Sequence, residues 1–227
     1  MAEQASQGPG RIYLQPIAAP SILGLYAFAG STLIVAAHLA GWYGTPETPV
    51  YLMPFTAVFG GIAQFAAGMW AYKARDGIAT AMHGMWGSFW IGFGLLELLT
   101  ATGALPPNEG SFPALGFWFV ALAWITLMGT IAAAAENVAL TLVLGTLTAG
   151  SVAAAIAEFI GSQPGAGITA IAGYTFIISA ALAWYTASAL MFEGVGRPIL
   201  PVGLTKQAQQ MPDVNPGQGE PGVAKGQ

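Results

Sequence analysis

The side chains able to do chemistry are few and widely spaced. Gln64 is the one amide in "GGIAQFAAGMWAYK", residues 60 to 73, a stretch otherwise built of apolar and small groups. The chain has two histidines, His38 and His83, and neither has a second histidine or a carboxylate at i+3 or i+4 to complete a metal pair. Glu97, Glu136, Glu158 and Glu193 are separated along the chain, and no grouping of nucleophile, base and metal ligands emerges. Cysteine is absent, which excludes disulfides and thiolate metal sites. The residues therefore point away from catalysis, and the chain is expected to be no enzyme and to carry no cofactor or metal. What remains is recognition: an amide, a few hydroxyls and large aromatics can replace part of a small solute's hydration.

The elements that must position these groups are membrane helices. Only 7% of residues are charged and 55% are hydrophobic, where a soluble domain carries about a quarter charged. Apolar stretches fall at 20–41, 50–72, 78–100, 114–135, 138–160 and 168–192, each close to the ~20 residues that a spanning helix needs. The weakest break is Glu136-Asn137. An unbroken helix from Ala114 to Ile160 would be roughly 70 Å long, more than twice the hydrocarbon core, so a turn is required there. The six cations precede the first span (Arg11), lie between the second and third (Lys73, Arg75), or follow the sixth (Arg197, Lys206, Lys225). Six spans put all of them on one side, which is then cytoplasmic, whereas five would put the Arg197 group outside. The expectation is an all-α integral membrane protein with six transmembrane helices and both termini cytoplasmic. It divides into an N-terminal segment 1–19, a transmembrane domain 20–203 and a disordered tail 204–227 rich in Gln, Gly and Pro. The start lacks the pattern of a cleaved signal peptide, and no basic stripe suits nucleic acid.

No Asp, Glu, Lys or Arg falls near the midpoint of a span. The four glutamates are expected as interfacial carboxylates, Glu97 and Glu158 at outer ends and Glu136 and Glu193 at inner ends. His38, late in the first span, is the candidate pH sensor, ahead of His83 at the start of the third. Counting depth from the inner starts puts Phe28, Trp86 and Leu144 in one layer, with Gln64, Thr126, Trp184 and Tyr185 in nearly the same slab. Such a layer is either core packing or a narrow apolar constriction edged by amides and hydroxyls, and the residues alone leave both open. Gly60, Gln64 and Gly68 repeat at i+4, as do Ala63, Ala67 and Ala71, giving the second span a small-residue face expected to serve as an assembly surface.

The stretch "FGGIAQFAAGMWAYKARDGIATAMHGMWGSFW" resembles the acetate uptake transporter family, the succinate/acetate permeases, through Gly60, Gly61, Gln64, Tyr72, Lys73, Gly87, Ser88, Phe89 and Trp90. "APSILGL" at 19–25 and "GRPILPVG" at 196–203 are similar to the family's opening and closing segments, and His38 falls where members carry a histidine. Two departures stand out: Ala19 and Ile22 replace an Asn and a Pro, and Trp86 replaces a tyrosine. The resemblance implies six helices per protomer, a homo-hexamer in the plasma (inner) membrane, and a pore in each protomer narrowed at Phe28, Trp86 and Leu144. It implies transport of acetate or a similar short monocarboxylate. With no cation at mid-depth a bare anion is costly there, so the transport is expected to be proton-linked, with protons and the lipid bilayer as the other partners. The substrate-lining set expected with it is Leu23, Gln64, Ser88, Ala183 and Tyr185, with Gln64, Ser88 and the Trp86 indole meeting the carboxylate. Two rivals remain, a channel for ammonia or another small neutral solute, and a structural membrane subunit.

Overall fold

The computed structural model describes residues 17–45, 47–106 and 110–209. Most of the expected segment 1–19, and 210–227 of the expected tail, lie outside the described residues. In lipid every backbone N–H and C=O must be paired within the protein, and this chain pairs them within helices. These are α1 (Pro20–Leu39), α2 (Thr48–Phe55), a π-helical segment (Thr56–Ala63), α3 (Gln64–Ala74), α4 (Gly77–Ala101), α5 (Pro113–Ala133), α6 (Val138–Ile160), α7 (Gly167–Gly194) and the short α8 (Lys206–Gln209). α2, the π segment and α3 run on as one rod from Thr48 to Ala74.

Local signals set the boundaries. Pro20 and Pro113 open α1 and α5, where a missing N–H costs nothing. The Asp76 carboxylate accepts from the Ala79 N–H at 2.8 Å to start α4, and the Asn137 side chain accepts from the Leu140 N–H at 2.8 Å to start α6. The turn required at Glu136-Asn137 is thus a capped helix start. Within the second rod Pro54 lacks an N–H to donate, and wider π-type pairing follows immediately.

Five rods combine spanning length with high mean hydropathy: Pro20–Leu39, Thr48–Ala74, Pro113–Ala133, Val138–Ile160 and Gly167–Gly194. α4 is 25 residues long but dilutes its aliphatic content with glycines, His83, Ser88 and two tryptophans. α1 packs on α7, α7 on α6 and α6 on α5, while the second rod packs on α1 and α4. The seam between α4 and α5 is slight.

Between the second rod and α4 the contact is made by glycine. A Cβ on Gly68 would lie 2.6 Å from the Gly84 nitrogen, and one on Gly87 would lie 2.6 Å from the Phe65 nitrogen. Further along, Gly61 meets Ile91 and Gly94 meets Ala57 in the same manner. The small-residue face expected as an assembly surface is therefore used inside the protomer: Gly60, Gln64, Ala67, Gly68 and Ala71 are all buried. The opposite face of that rod, with Phe55, Val58, Ile62 and Trp70, is the exposed one.

The ordered chain also continues past the expected boundary at 204. After α7 it doubles back, pairing Val138 N–H with Gly203 O and Ala139 N–H with Val202 O, both at 3.0 Å. Thr205 N–H donates to Glu136 O at 3.0 Å, Thr205 Oγ1 donates to Ala135 O at 2.6 Å, and the Tyr185 hydroxyl holds Pro201 O at 2.7 Å. This clasp ties the end of α7 to the α5–α6 turn.

The glycine seam yields a stability prediction. Gly68→Ala sets a methyl group against backbone that cannot move aside and is expected to cost about 1–3 kcal/mol. Gly92→Ala, with nothing within 4 Å of its Cβ position, is expected to be neutral or stabilising by up to about 1 kcal/mol. Thermal loss of the monodisperse species in detergent, measured for both variants, checks the contrast.

Candidate functional site

At the end of the bundle that carries the α3–α4 and α5–α6 turns, a cavity of about 110 Å³ enters between α1, α4, α6 and α7. Helical spacing builds it. α4 contributes Ala79, Met82, His83 and Trp86, α6 contributes Leu140, Val143, Leu144 and Leu147, and α1 contributes Ser21, Leu25 and Phe28. Asp76, Glu136, Asn137 and Val202 of the clasp stand at the mouth, and the inner limit is formed by Phe28, Gln64, Trp86, Leu144 and Leu147.

The layer obtained by depth counting is brought together. Phe28, Trp86 and Leu144 are each buried and all line the cavity, with the Phe28 and Trp86 rings edge-to-face at a centroid distance of 6.2 Å. Trp86 is fixed at its polar edge, where Nε1–H donates to Thr126 Oγ1 at 3.0 Å. That bond uses the indole donor which the sequence assigned to the carboxylate. Trp86 therefore lines the cavity with its polar edge held by Thr126. Gln64 is 2% exposed, lines the cavity, and its Oε1 is buried without a hydrogen-bond partner.

Other expected positions lie elsewhere. Leu23 faces outward and is 45% exposed. Ser88 is exposed and its hydroxyl donates back to Gly84 O at 2.7 Å. Tyr185 is spent on the clasp, and Ala183 is fully buried in the helix packing. His38 lies at the opposite end of α1, Nδ1 3.2 Å from Tyr43 O, where it braces the α1–α2 connection. None of these five lines the cavity.

Sequence reasoning passed over three buried polar side chains further along α1 and α4. Ser31 Oγ, Thr32 Oγ1 and Trp90 Nε1 are buried without partners. A Cβ on Gly60 of the π segment would fall 2.6 Å from Ser31 Oγ and 2.8 Å from Trp90 Cδ1, so Ser31 and Trp90 converge on that glycine. Each orphaned group costs about 1–3 kcal/mol. Their spacing was the available signal, because Ser31 and Thr32 follow Phe28 at i+3 and i+4 on one face of α1.

A wider groove of about 620 Å³ adjoins the mouth along the α4–α5 seam, where Arg75, Asp76 and Glu136 meet. Burial, then the nearby Asp76 carboxylate, raise the Glu136 carboxyl above its ordinary range. Among the described residues no group of three or more His, Asp and Glu side chains could hold a metal ion.

The sequence model of the GPR1/FUN34/yaaH family matches residues 3–197. The chain is 28% identical over 195 residues to the succinate-acetate/proton symporter SatP of Escherichia coli K12, covering 82% of this chain and 96% of that protein. It is 27% identical over 205 residues to the acetate transporter protein patA of Aspergillus clavatus, covering 86% of this chain and 81% of that protein. A solved structure of the bacterial acetate channel SatP superposes with a TM-score of 0.73 at 26% identity, over 83% of this chain and all of that one.

Raising the Glu136 pKa means that the folded protein holds this proton more firmly than the unfolded chain. Stability is therefore lost as pH rises from the ordinary carboxylate value, about 4.3, through the raised one. Glu136→Gln is expected to be more stable than the parent above that window and indistinguishable from it below about pH 4, as thermal unfolding across a pH series will show.

Proposed function

Because the chain belongs to the GPR1/FUN34/yaaH family, we propose that this multi-pass membrane protein moves acetate or a similar short monocarboxylate through a passage in each protomer. The observation that carries the reading is the cavity, which ends on Phe28, Trp86 and Leu144 with the Gln64 amide beside them. No side chain of the neck itself is charged, and moving an ion past it costs several kcal/mol. The substrate accordingly crosses as the acid, or with a proton acquired at the mouth. Carboxylic acids are almost wholly ionised at neutral pH, so an inward proton gradient speeds uptake. Asp76 and Glu136 at the mouth repel a second negative charge, which favours acetate over a dicarboxylate.

Beyond the neck, Ser31, Thr32 and Trp90 offer the next hydrogen-bonding groups. Ser31 and Thr32 can donate or accept and Trp90 donates, so either oxygen of a carboxyl finds a partner there. With six spans the cations fall on the cytoplasmic side and the cavity mouth opens inward. Phe117, Trp124 and Ile131 of α5 and the outward face of the Thr48–Ala74 rod are exposed in the protomer. In the plasma membrane these faces meet lipid and the neighbouring copies of a homo-hexamer.

The test is uptake of radiolabelled acetate into proteoliposomes under an inward proton gradient, with protein-free liposomes as control because acetic acid crosses lipid unaided. Saturable, protein-dependent uptake is expected, faster with the gradient. Leu144→Trp, which fills the neck, is expected to lower it at least tenfold, equivalent to about 1.4 kcal/mol of barrier. Uptake no faster than in empty liposomes, from protein shown to be folded, sinks the proposal. Competition by methylamine in place of acetate analogues would transfer the assignment to a neutral-solute channel, which the uncharged neck also suits.

A further inference from the structure

His83 is the buried titratable group that the transport reading leaves unused. It stands one turn before Trp86 on the cavity-facing side of α4 and is 4% exposed. Its ring lies flat on α1, where a Cβ on Gly24 would fall within 2.4–2.5 Å of Cε1, Nδ1 and Nε2. Glycine at position 24 is thus what admits an aromatic ring at position 83.

The polar bookkeeping around that ring is incomplete. Nε2 lies 3.3 Å from Ser21 Oγ, beyond the usual range for a good hydrogen bond, and Nδ1 is buried without any partner. A histidine retained only for packing would have both nitrogens satisfied or would be apolar. Ser21 is half-buried and also lines the cavity, so its hydroxyl is the part of the pair that a solute in the cavity reaches first.

We infer that Ser21 and His83 form a carboxyl-binding station on the cavity wall immediately before the neck, with Ser21 Oγ and His83 Nε2 as the contacting atoms. The inference rests on the carboxylate reading above and adds to it a specific pair. The long contact is a weak bond that a carboxyl group can open. A carboxylate oxygen takes the serine O–H or the Nε2–H. The acid's own O–H donates to Ser21 Oγ or to bare Nε2. Serine and neutral imidazole both donate and accept, so one pair serves both protonation states of the substrate without placing a fixed charge beside the neck. The residues that line the same cavity from the other elements are uncharged along its wall: Leu25 and Phe28 from α1, Leu140 from α6, Thr186 from α7 and Gln64 from α3. The titratable neighbours on the same cavity are Asp76 and Glu136, both at the mouth.

With two histidines in the chain, imidazole nitrogen signals report the station directly. Full-length protein labelled with ¹⁵N-histidine in nanodiscs is titrated with sodium acetate at constant pH and ionic strength, and His38→Asn assigns the signals. Expected are saturable shifts of the His83 nitrogens and none of His38, which is remote from the cavity. In proteoliposomes, His83→Phe keeps a flat ring over Gly24 but removes both nitrogens, and Ser21→Ala removes the hydroxyl. Each is expected to raise the KM for acetate uptake about three- to tenfold, the loss of an ordinary hydrogen bond, with a smaller change in maximal rate. Saturable acetate uptake by the parent protein with unmoved His83 signals, or with KM unchanged in Ser21→Ala, overturns the station while leaving the transport reading intact. Absence of both uptake and shifts in folded protein removes the two together.

Discussion

The close approach of the Thr48–Ala74 rod to α4 is the contact on which the passage depends. Between membrane helices there is no hydrophobic drive, since lipid tails solvate apolar side chains as well as another helix does. What holds two such rods is van der Waals contact at short range, and short range requires the absence of side chains. Gly68 against Gly84 and Gly87 against Phe65 bring the backbones together at adjacent turns, with Gly61 and Gly94 continuing the seam. The spacing 84, 87, 91, 94 on α4 alternates three and four, the pattern of a continuous helix–helix seam. Cavity-facing residues occupy a neighbouring stripe of α4 at 79, 82, 83 and 86. Close packing on the first stripe thereby fixes the distance of Gln64 and Trp86 from α1.

Polarity is distributed along the passage in a consistent order. Two carboxylates stand at the cavity mouth, a serine–histidine pair and a single amide line its wall, and the unpaired Ser31, Thr32 and Trp90 are buried outside its lining. Charge is present where water can reach it and gives way to neutral donors and acceptors where it cannot. A buried neutral group left unpaired costs far less than a buried ion. The protein thus tolerates several orphaned hydrogen-bonding atoms near the neck without a single buried charge there. Thr126 shows the other side of this rule, because it removes the Trp86 indole N–H from the passage and leaves the ring as an apolar wall.

Much of this was legible in the residues. The helices fall within a few positions of the apolar stretches, since length and hydropathy are one-dimensional quantities that lipid reads directly. The layer of Phe28, Trp86 and Leu144 could be found by counting depth, because helical rise converts position into height. Azimuth is harder. Ser88 is at a suitable height but on the wrong side of α4, and Leu23 and Tyr185 likewise point away from the cavity. The π segment rotates everything that follows it relative to a regular helix, so which neighbour receives the small-residue face could not be read from an i+4 repeat. The clasp was invisible for a different reason: it is made of main-chain hydrogen bonds and the Thr205 and Tyr185 hydroxyls in a short non-helical segment, whose pairing no periodicity announces.

That clasp bears on how the mouth is held open. Val202 lines the cavity while its carbonyl accepts from Ala139 N–H at the first turn of α6, and Thr205 fastens to the turn that carries Glu136. The α5–α6 turn is therefore bound to α7 by main-chain bonds, whereas α4 meets α5 across a slight seam. Main-chain bonds at this edge of the bundle keep α6 and α7 in register, and the weaker seam lets α5 be carried with α6. The neck residues are divided accordingly: Phe28 and Trp86 stand on α1 and α4, which the second rod joins, and Leu144 stands on α6, which the clasp joins to α7. Because α1 also packs closely on α7, where Gly173 lies against the backbone of Ala36 and Ala40, the two groups are joined along that face, and Phe28, Trp86 and Leu144 are held by one continuous set of helix contacts.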